Sequence, residues 1–121
     1  MNKRHSNEYY ADLREALTTV IDRVYVNEAP EGKTFPYVVF STDTIYDGYK
    51  VTVDLWGRSG PANEAELEDI ADSVEEALDG YIIANDYHTS MLVSNDDRQW
   101  MRDEDPTIKR IMLSFNATYQ S

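Results

Sequence analysis

Phe35-Pro36-Tyr37-Val38-Val39-Phe40 and, after a short polar stretch, Val51-Thr52-Val53-Asp54-Leu55-Trp56 are the two runs that decide the fold. The first reads as a buried strand entered through a proline. The second alternates apolar and polar residues, as a half-buried strand does. Asp47-Gly48 between them is a strong two-residue hairpin signal. A turn there pairs Tyr46 with Tyr49 and sets Thr44 opposite Val51, Thr42 opposite Val53 and Phe40 opposite Leu55 on one face. The other face takes Ile45/Lys50, Asp43/Thr52, Ser41/Asp54 and Val39/Trp56. The first face is the more apolar and belongs to the core. Lys50, Thr52 and Asp54 then point outward. Trp56 lies on that outer face, either as an interface residue or folded under a loop.

Upstream, Tyr10, Leu13, Leu17, Val20, Ile21 and Val24 recur at three- and four-residue steps and form one apolar stripe, which predicts a helix from about Ser6 to Val24. Ser6 is the expected N-cap, with Glu8 near the positive helix end and residues 1–6 as a flexible tail. Residues 27–33 are rich in turn formers. Downstream, Gly57-Arg58-Ser59-Gly60-Pro61 interrupts the sheet. Asn63 with Glu66 makes a capping-box pattern, and Leu67, Ile70, Ala71, Val74 and Leu78 form the buried stripe of a second helix reaching about Asp79. Gly80 is its expected stop. Tyr81-Ile82-Ile83 and Tyr87 to Val93 read as short strands, and Ser94 to Pro106 as a polar acidic loop. In the last strand Ile111, Leu113, Phe115, Ala117 and Tyr119 alternate with Arg110, Met112, Ser114, Asn116 and Thr118. The expected fold is α+β, in the order α-β-β-α-β-β: a mostly antiparallel sheet with two helices packed on one face and the other face open. No repeat or linker divides the chain, so residues 1–121 read as one domain.

The 121 residues carry 23 acidic and 11 basic side chains, a net charge of −12, and no Cys. Disulfides and thiolate sites are thereby excluded, and the composition fits a reducing compartment. The N-terminus has no apolar run after Lys3 and Arg4, and no segment approaches the roughly 20 residues needed to span a bilayer. The reading is a soluble, cytoplasmic product with no membrane contact. The negative charge argues against a broad surface for DNA backbone or anionic lipid. A basic protein partner, an assembly surface, or plain solubility remain.

Catalytic signals are thin. The two histidines are His5, in the tail, and His88. A Ser90–His88–Asp86 triad is geometrically poor, because i and i+2 residues on a strand share a face without bending onto each other. Asp96, Asp97, Asp103, Glu104 and Asp105 lack the spacing and central Gly of a calcium loop, and no phosphate-binding glycine loop is present. No cofactor or metal is expected. Glu64, Glu66, Glu68, Asp69, Asp72, Glu75, Glu76 and Asp79 fall on the second helix without one Lys or Arg. Like charges at four-residue spacing each cost a few tenths of a kcal/mol, and the last three oppose the helix dipole. The helix presents either a solvated face or a purposely negative one. Arg98-Gln99-Trp100-Met101-Arg102 joins residue types enriched at interfaces; its Trp either anchors a partner or closes over the core.

Several of these segments carry a resemblance. They are Leu13-Arg14-Glu15-Ala16-Leu17, Val24-Tyr25, Ala29-Pro30, Pro36-Tyr37-Val38-Val39-Phe40, and Val53-Asp54-Leu55-Trp56 followed by Gly57-Arg58-Ser59. The helix Ala65 to Leu78 with Ile70-Ala71-Asp72-Ser73-Val74, the Arg102-Asp103 turn, and the strand Ile111 to Phe115 continue it. In this order the chain resembles the tail terminator, or tail completion, family of long-tailed bacteriophages. It departs most from that family around Asp96 to Asp105. The resemblance implies a non-enzymatic virion part: a ring, usually hexameric, that caps the tail tube, stops its growth and meets the head connector, with DNA passing through the lumen. Trp56, Arg58, the Asp47-Gly48 tip, Arg98, Trp100 and Met101 are then candidates for ring or partner contacts. Glu68, Asp72, Glu75, Glu76 and Asp79 are candidates for an acidic lumen or partner face. The implied partners are further copies of the chain, the tail tube protein and a head connector or stopper protein. Competing readings are another neck component, an acidic DNA-mimicking inhibitor of a host enzyme, and a small hydrolase.

Overall fold

The computed structural model describes residues 3–45, 48–84 and 89–120. Helix α1 (Lys3–Thr18) leads into β1 (Val24–Val26), β2 (Tyr37–Ile45) and β3 (Gly48–Arg58). Helix α2 (Pro61–Leu78) follows, then β4 (Ile82–Ala84), β5 (Thr89–Ser94), β6 (Gln99–Met101) and β7 (Ile108–Gln120). The strands form one sheet in the order β1-β2-β3-β7-β5-β4, with β6 also paired to β7. Among the described residues only the β1–β2 pair is parallel. This is the expected α+β class; β4 and β5 fall where two short strands are expected after the second helix, and β1 and β6 are additional.

Both helices cover the same face of the sheet. Leu13 and Leu17 of α1, and Leu67, Ala71, Val74 and Leu78 of α2, meet Val38, Phe40, Val51, Val53, Leu55, Ile111, Leu113, Phe115 and Ala117 in one buried core. Each large apolar side chain removed from water there contributes about 1.5–3 kcal/mol. Gly57 lets α2 lie close to β3: a Cβ at this position would stand 3.2 Å from Leu67 Cδ1.

The hairpin register differs from the expected one. Phe40 pairs with Val53, Thr42 with Val51 and Tyr37 with Trp56, and the strands part at Ile45 and Gly48. The shift is by two residues, so every side chain keeps its face. The connecting residues are 46 and 47, not Asp47-Gly48. Gly48 is therefore a buried strand residue, bridging Ile45 on one side and Thr118 on the other, rather than a loop tip. Asp47 lies outside the described residues.

The helix ends also differ. The α1 backbone starts at Lys3, so Ser6 lies inside the helix and does not cap it. It stops at Thr18 because the Thr18 and Thr19 hydroxyls donate back to the Glu15 and Ala16 carbonyls at 2.9 and 2.7 Å, and the β-branched run that follows disfavours helix. Val20 and Ile21 reach the core from a turn, and Val24 from β1. Helix α2 opens with Pro61 in its first turn behind Gly60 (φ 115°), with no side-chain cap of the Asn63 type. Glu64 supplies the acceptor instead, taking the Gly60 N–H at 2.9 Å. Gly80, at φ 83°, ends the helix as expected and donates to the Leu92 carbonyl at 2.7 Å. The acidic stretch after Ser94, expected to be a loop, contains β6.

Candidate functional site

Two surfaces gather the residues singled out above. On the helix side, residues leading into β6 turn back over α2. Arg98 donates to Glu68 Oε2 at 2.7 Å and Asp72 Oδ1 at 2.9 Å, and pairs with Glu75 Oε2 at 3.1 Å. Partial burial works against its charge, but the bonds to Asp72, Glu75 and Glu68 outweigh that and hold the guanidinium protonated beyond its ordinary range. Trp100 donates from Nε1 to Glu68 Oε1 at 2.7 Å while its indole stays 43% exposed. Thus Glu68, Asp72, Glu75, Arg98 and Trp100 form one network within the chain. Asp79 accepts the Ser94 N–H at 2.9 Å. Glu76 is exposed and, among the described residues, makes no such bond. Asp72, Glu75, Glu76, Asp79, Ser94 and Asp96 line a shallow acidic depression of about 320 Å³. Met101, opposite Arg110, joins Trp100, Arg102, Asp103, Glu64 and Lys109 along a second groove of about 670 Å³.

On the open face, aromatic rings form a row. Trp56 stacks on Tyr37 with centroids 6.1 Å apart and planes 9° from parallel; Phe35 lies 5.1 Å and Tyr25 6.1 Å from the Tyr37 ring. Cations stand over these rings: Arg110 over Trp56 at 4.9 Å, Arg58 over Phe35 at 4.2 Å and Lys33 over Tyr37 at 5.9 Å. Asp54 sits 3.8 Å from Arg110 Nε, too far for a hydrogen bond, and both Asp54 Oδ1 and Arg110 Nε are buried without a partner. Burial raises the Asp54 carboxyl above its ordinary value, with Arg110 opposing the shift. Burial likewise raises Tyr37, helped by Asp103 and Tyr25. These residues line a groove of about 310 Å³ with Asn27, Glu28 and Val39. At the far end of the same face, Ile82, Met91 and Val93 are exposed.

Trp56 and Arg58 therefore fall on one surface, and Arg98 and Trp100 on another. Sequence reasoning missed Tyr37, Phe35 and Lys33, because Tyr37 meets Trp56 only in the shifted register. Arg110 was missed as a site residue too, although the alternation of the last strand separates it from the core residues. Ser90 is fully buried and its hydroxyl has no partner, so it is inaccessible as a nucleophile; Asp86 and His88 lie outside the described residues. Among the described residues no three His, Cys, Asp or Glu side chains converge as a metal site. No helix among them is long and apolar enough to cross a membrane.

The fold is shared with a solved chain from the "Virion of native gene transfer agent (GTA) particle". The two are 18% identical and superpose with a TM-score of 0.67, over 90% of this chain and 95% of that one. A comparison with curated proteins finds no match. The sequence matches the family described as "Tail completion protein gp17" over residues 10–120, a span that takes in α2, the open-face row and all seven strands. With nearly its whole length matched and its fold found in a virion chain, this protein belongs to the tail completion family.

Proposed function

We propose that this chain is a non-enzymatic virion part that closes the end of the tail tube as a ring, stops tube growth and offers a docking surface to the head connector. The observation that carries this reading is the family match along residues 10–120. The fold it shares with a chain of a gene transfer agent virion supports it. A hexameric ring of copies meets the tail tube protein on one side and a connector or stopper protein on the other. It works in the virion after assembly in the host cytoplasm. DNA passes through the lumen, where a negative wall repels the phosphate backbone and lets it slip. Since Arg98 already engages Glu68, Asp72 and Glu75, the exposed Glu66, Asp69 and Glu76 are the α2 carboxylates left for a partner face. Individually weak contacts act together once the tube end presents several copies at once. Trp56, Arg58 and Trp100 are the proposed anchors.

The test is electron microscopy of lysates from a phage or prophage in which this gene is deleted. Filled heads lying apart from tails of uncontrolled length are expected; complete, normal virions would overturn the proposal. Complementation with Trp100→Ala or Arg58→Ala is expected to supply folded protein that no longer enters tails.

A further inference from the structure

The two faces of the sheet carry different charge patterns. On the open face Arg58, Lys33 and Arg110 stand over an unbroken row of rings, Phe35, Tyr37 and Trp56, whose neighbours are 5.1 and 6.1 Å apart. Arg58 and Lys33 are exposed, while Arg110 is part-buried, with Asp54 3.8 Å from its buried Nε and no hydrogen bond to that atom among the described residues. In a chain of net charge −12 these are three of the 11 basic side chains, gathered on one row of rings with Asp54 and Glu28 beside them. On the helix side, Glu66, Asp69 and Glu76 are exposed and, among the described residues, have no hydrogen bond or ion pair. Their spacings of three and seven residues place them on one outer stripe of α2, about 15 Å long. The neighbouring row, Glu68, Asp72 and Glu75, is occupied by Arg98.

We propose that the outer carboxylate stripe of α2 in one copy docks on the Arg58–Phe35–Tyr37–Trp56–Arg110 row of a second copy. The inference rests on the ring reading above and names the two faces that meet. Three carboxylates face three cations: Arg58 and Lys33 are exposed, and Arg110, whose side chain is 27% exposed, has Asp54 only at 3.8 Å. The two patches lie on opposite faces of the same sheet, so a pair of copies cannot satisfy both at once. The contact is head-to-tail: it cannot stop at a two-fold dimer and must run on until a ring closes or a filament grows.

A zero-length carbodiimide, which joins a carboxylate to a lysine amine, tests this with the full chain. Unlabelled and heavy-nitrogen chains are mixed equally, assembled on tail tubes, cross-linked and digested. Peptides joining Lys33 to the α2 segment of Glu66, Asp69 and Glu76, one light and one heavy, are expected. Arg58→Glu with Arg110→Glu should cut their yield about tenfold, as like charges now face each other. Adding Glu66→Lys, Asp69→Lys and Glu76→Lys to the same chain should restore mixed-label coupling, now between the amines introduced on α2 and the carboxylates introduced at positions 58 and 110. Thermal melts of each variant check that it is folded. Mixed-label links confined to other segments, links indifferent to the reversals, no mixed-label link anywhere, or Lys33 coupling only to another virion protein would each overturn this pairing. Rings seen at tube ends in any of those cases would leave the ring reading standing.

Discussion

Replacing Arg98 by Ala tests the network that binds β6 to α2. The guanidinium holds Glu68 at 2.7 Å, Asp72 at 2.9 Å and Glu75 at 3.1 Å, and the three carboxylates are 38%, 70% and 29% exposed. Water screens Asp72 most, so its pair contributes a few tenths of a kcal/mol, and the other two about 0.5–1 kcal/mol each. Removing the cation also frees the Glu68/Asp72 and Asp72/Glu75 repulsions, about 0.2–0.5 kcal/mol apiece. The expected loss is about 2 kcal/mol, or roughly 6–10 °C in Tm for a domain of this size. Urea unfolding of the wild type, Arg98→Ala, Glu75→Gln and the double variant gives the coupling directly. The loss should shrink in about 1 M salt, where screening acts within about 3 Å. Amide exchange should quicken in β6 and stay slow in the β3–β7 pair. A loss under about 0.5 kcal/mol, or one that salt leaves unchanged with no coupling to Glu75, would refute the reasoning.

Asp54 offers a pH test. Its folded carboxyl is raised above the ordinary 3.8 by burial against Arg110's opposing pull, so its contribution is full below that value and lost as pH rises through the folded one. Asp54→Asn should therefore melt above the wild type near neutral pH, with the gap closing under acid; equal gaps at about pH 3 and about pH 7 would contradict this. Gly57→Ala forces a Cβ against Leu67 and should cost about 1–3 kcal/mol in chemical denaturation. Trp56→Ala loses one ring stack and one cation on the open face, about 1–2 kcal/mol. Phe115→Ala empties a fully buried core site and should cost about 3–5 kcal/mol. Similar losses for the two would mean that Trp56 belongs to the core.

The faces of the sheet and of α2 were legible in the chain itself, because side-chain direction follows local periods of two and 3.6 residues. Phe40, Val51, Val53, Leu55, Ile111 and Phe115 are buried as their alternation requires, and Leu67, Ala71, Val74 and Leu78 as helical spacing requires. Those faces survived even a wrong register, since a slip of two residues returns each side chain to its own side. The true register was not legible. Asp47-Gly48 has the local preference for a turn, but Gly48 is paired with Thr118, where β7 runs along all of β3, and many ladder bonds outweigh one turn's preference. The short β1 and β6 exist only because β2 and β7 offer them partners. The same limit governs the site. Composition showed an acidic helix without a cation, and only the tertiary path, bringing Arg98 back to Glu68 from 30 residues away, decided which carboxylates are neutralised and which remain for a partner. Periodicity is a property of neighbouring residues; pairing between distant ones is set by the whole chain's packing.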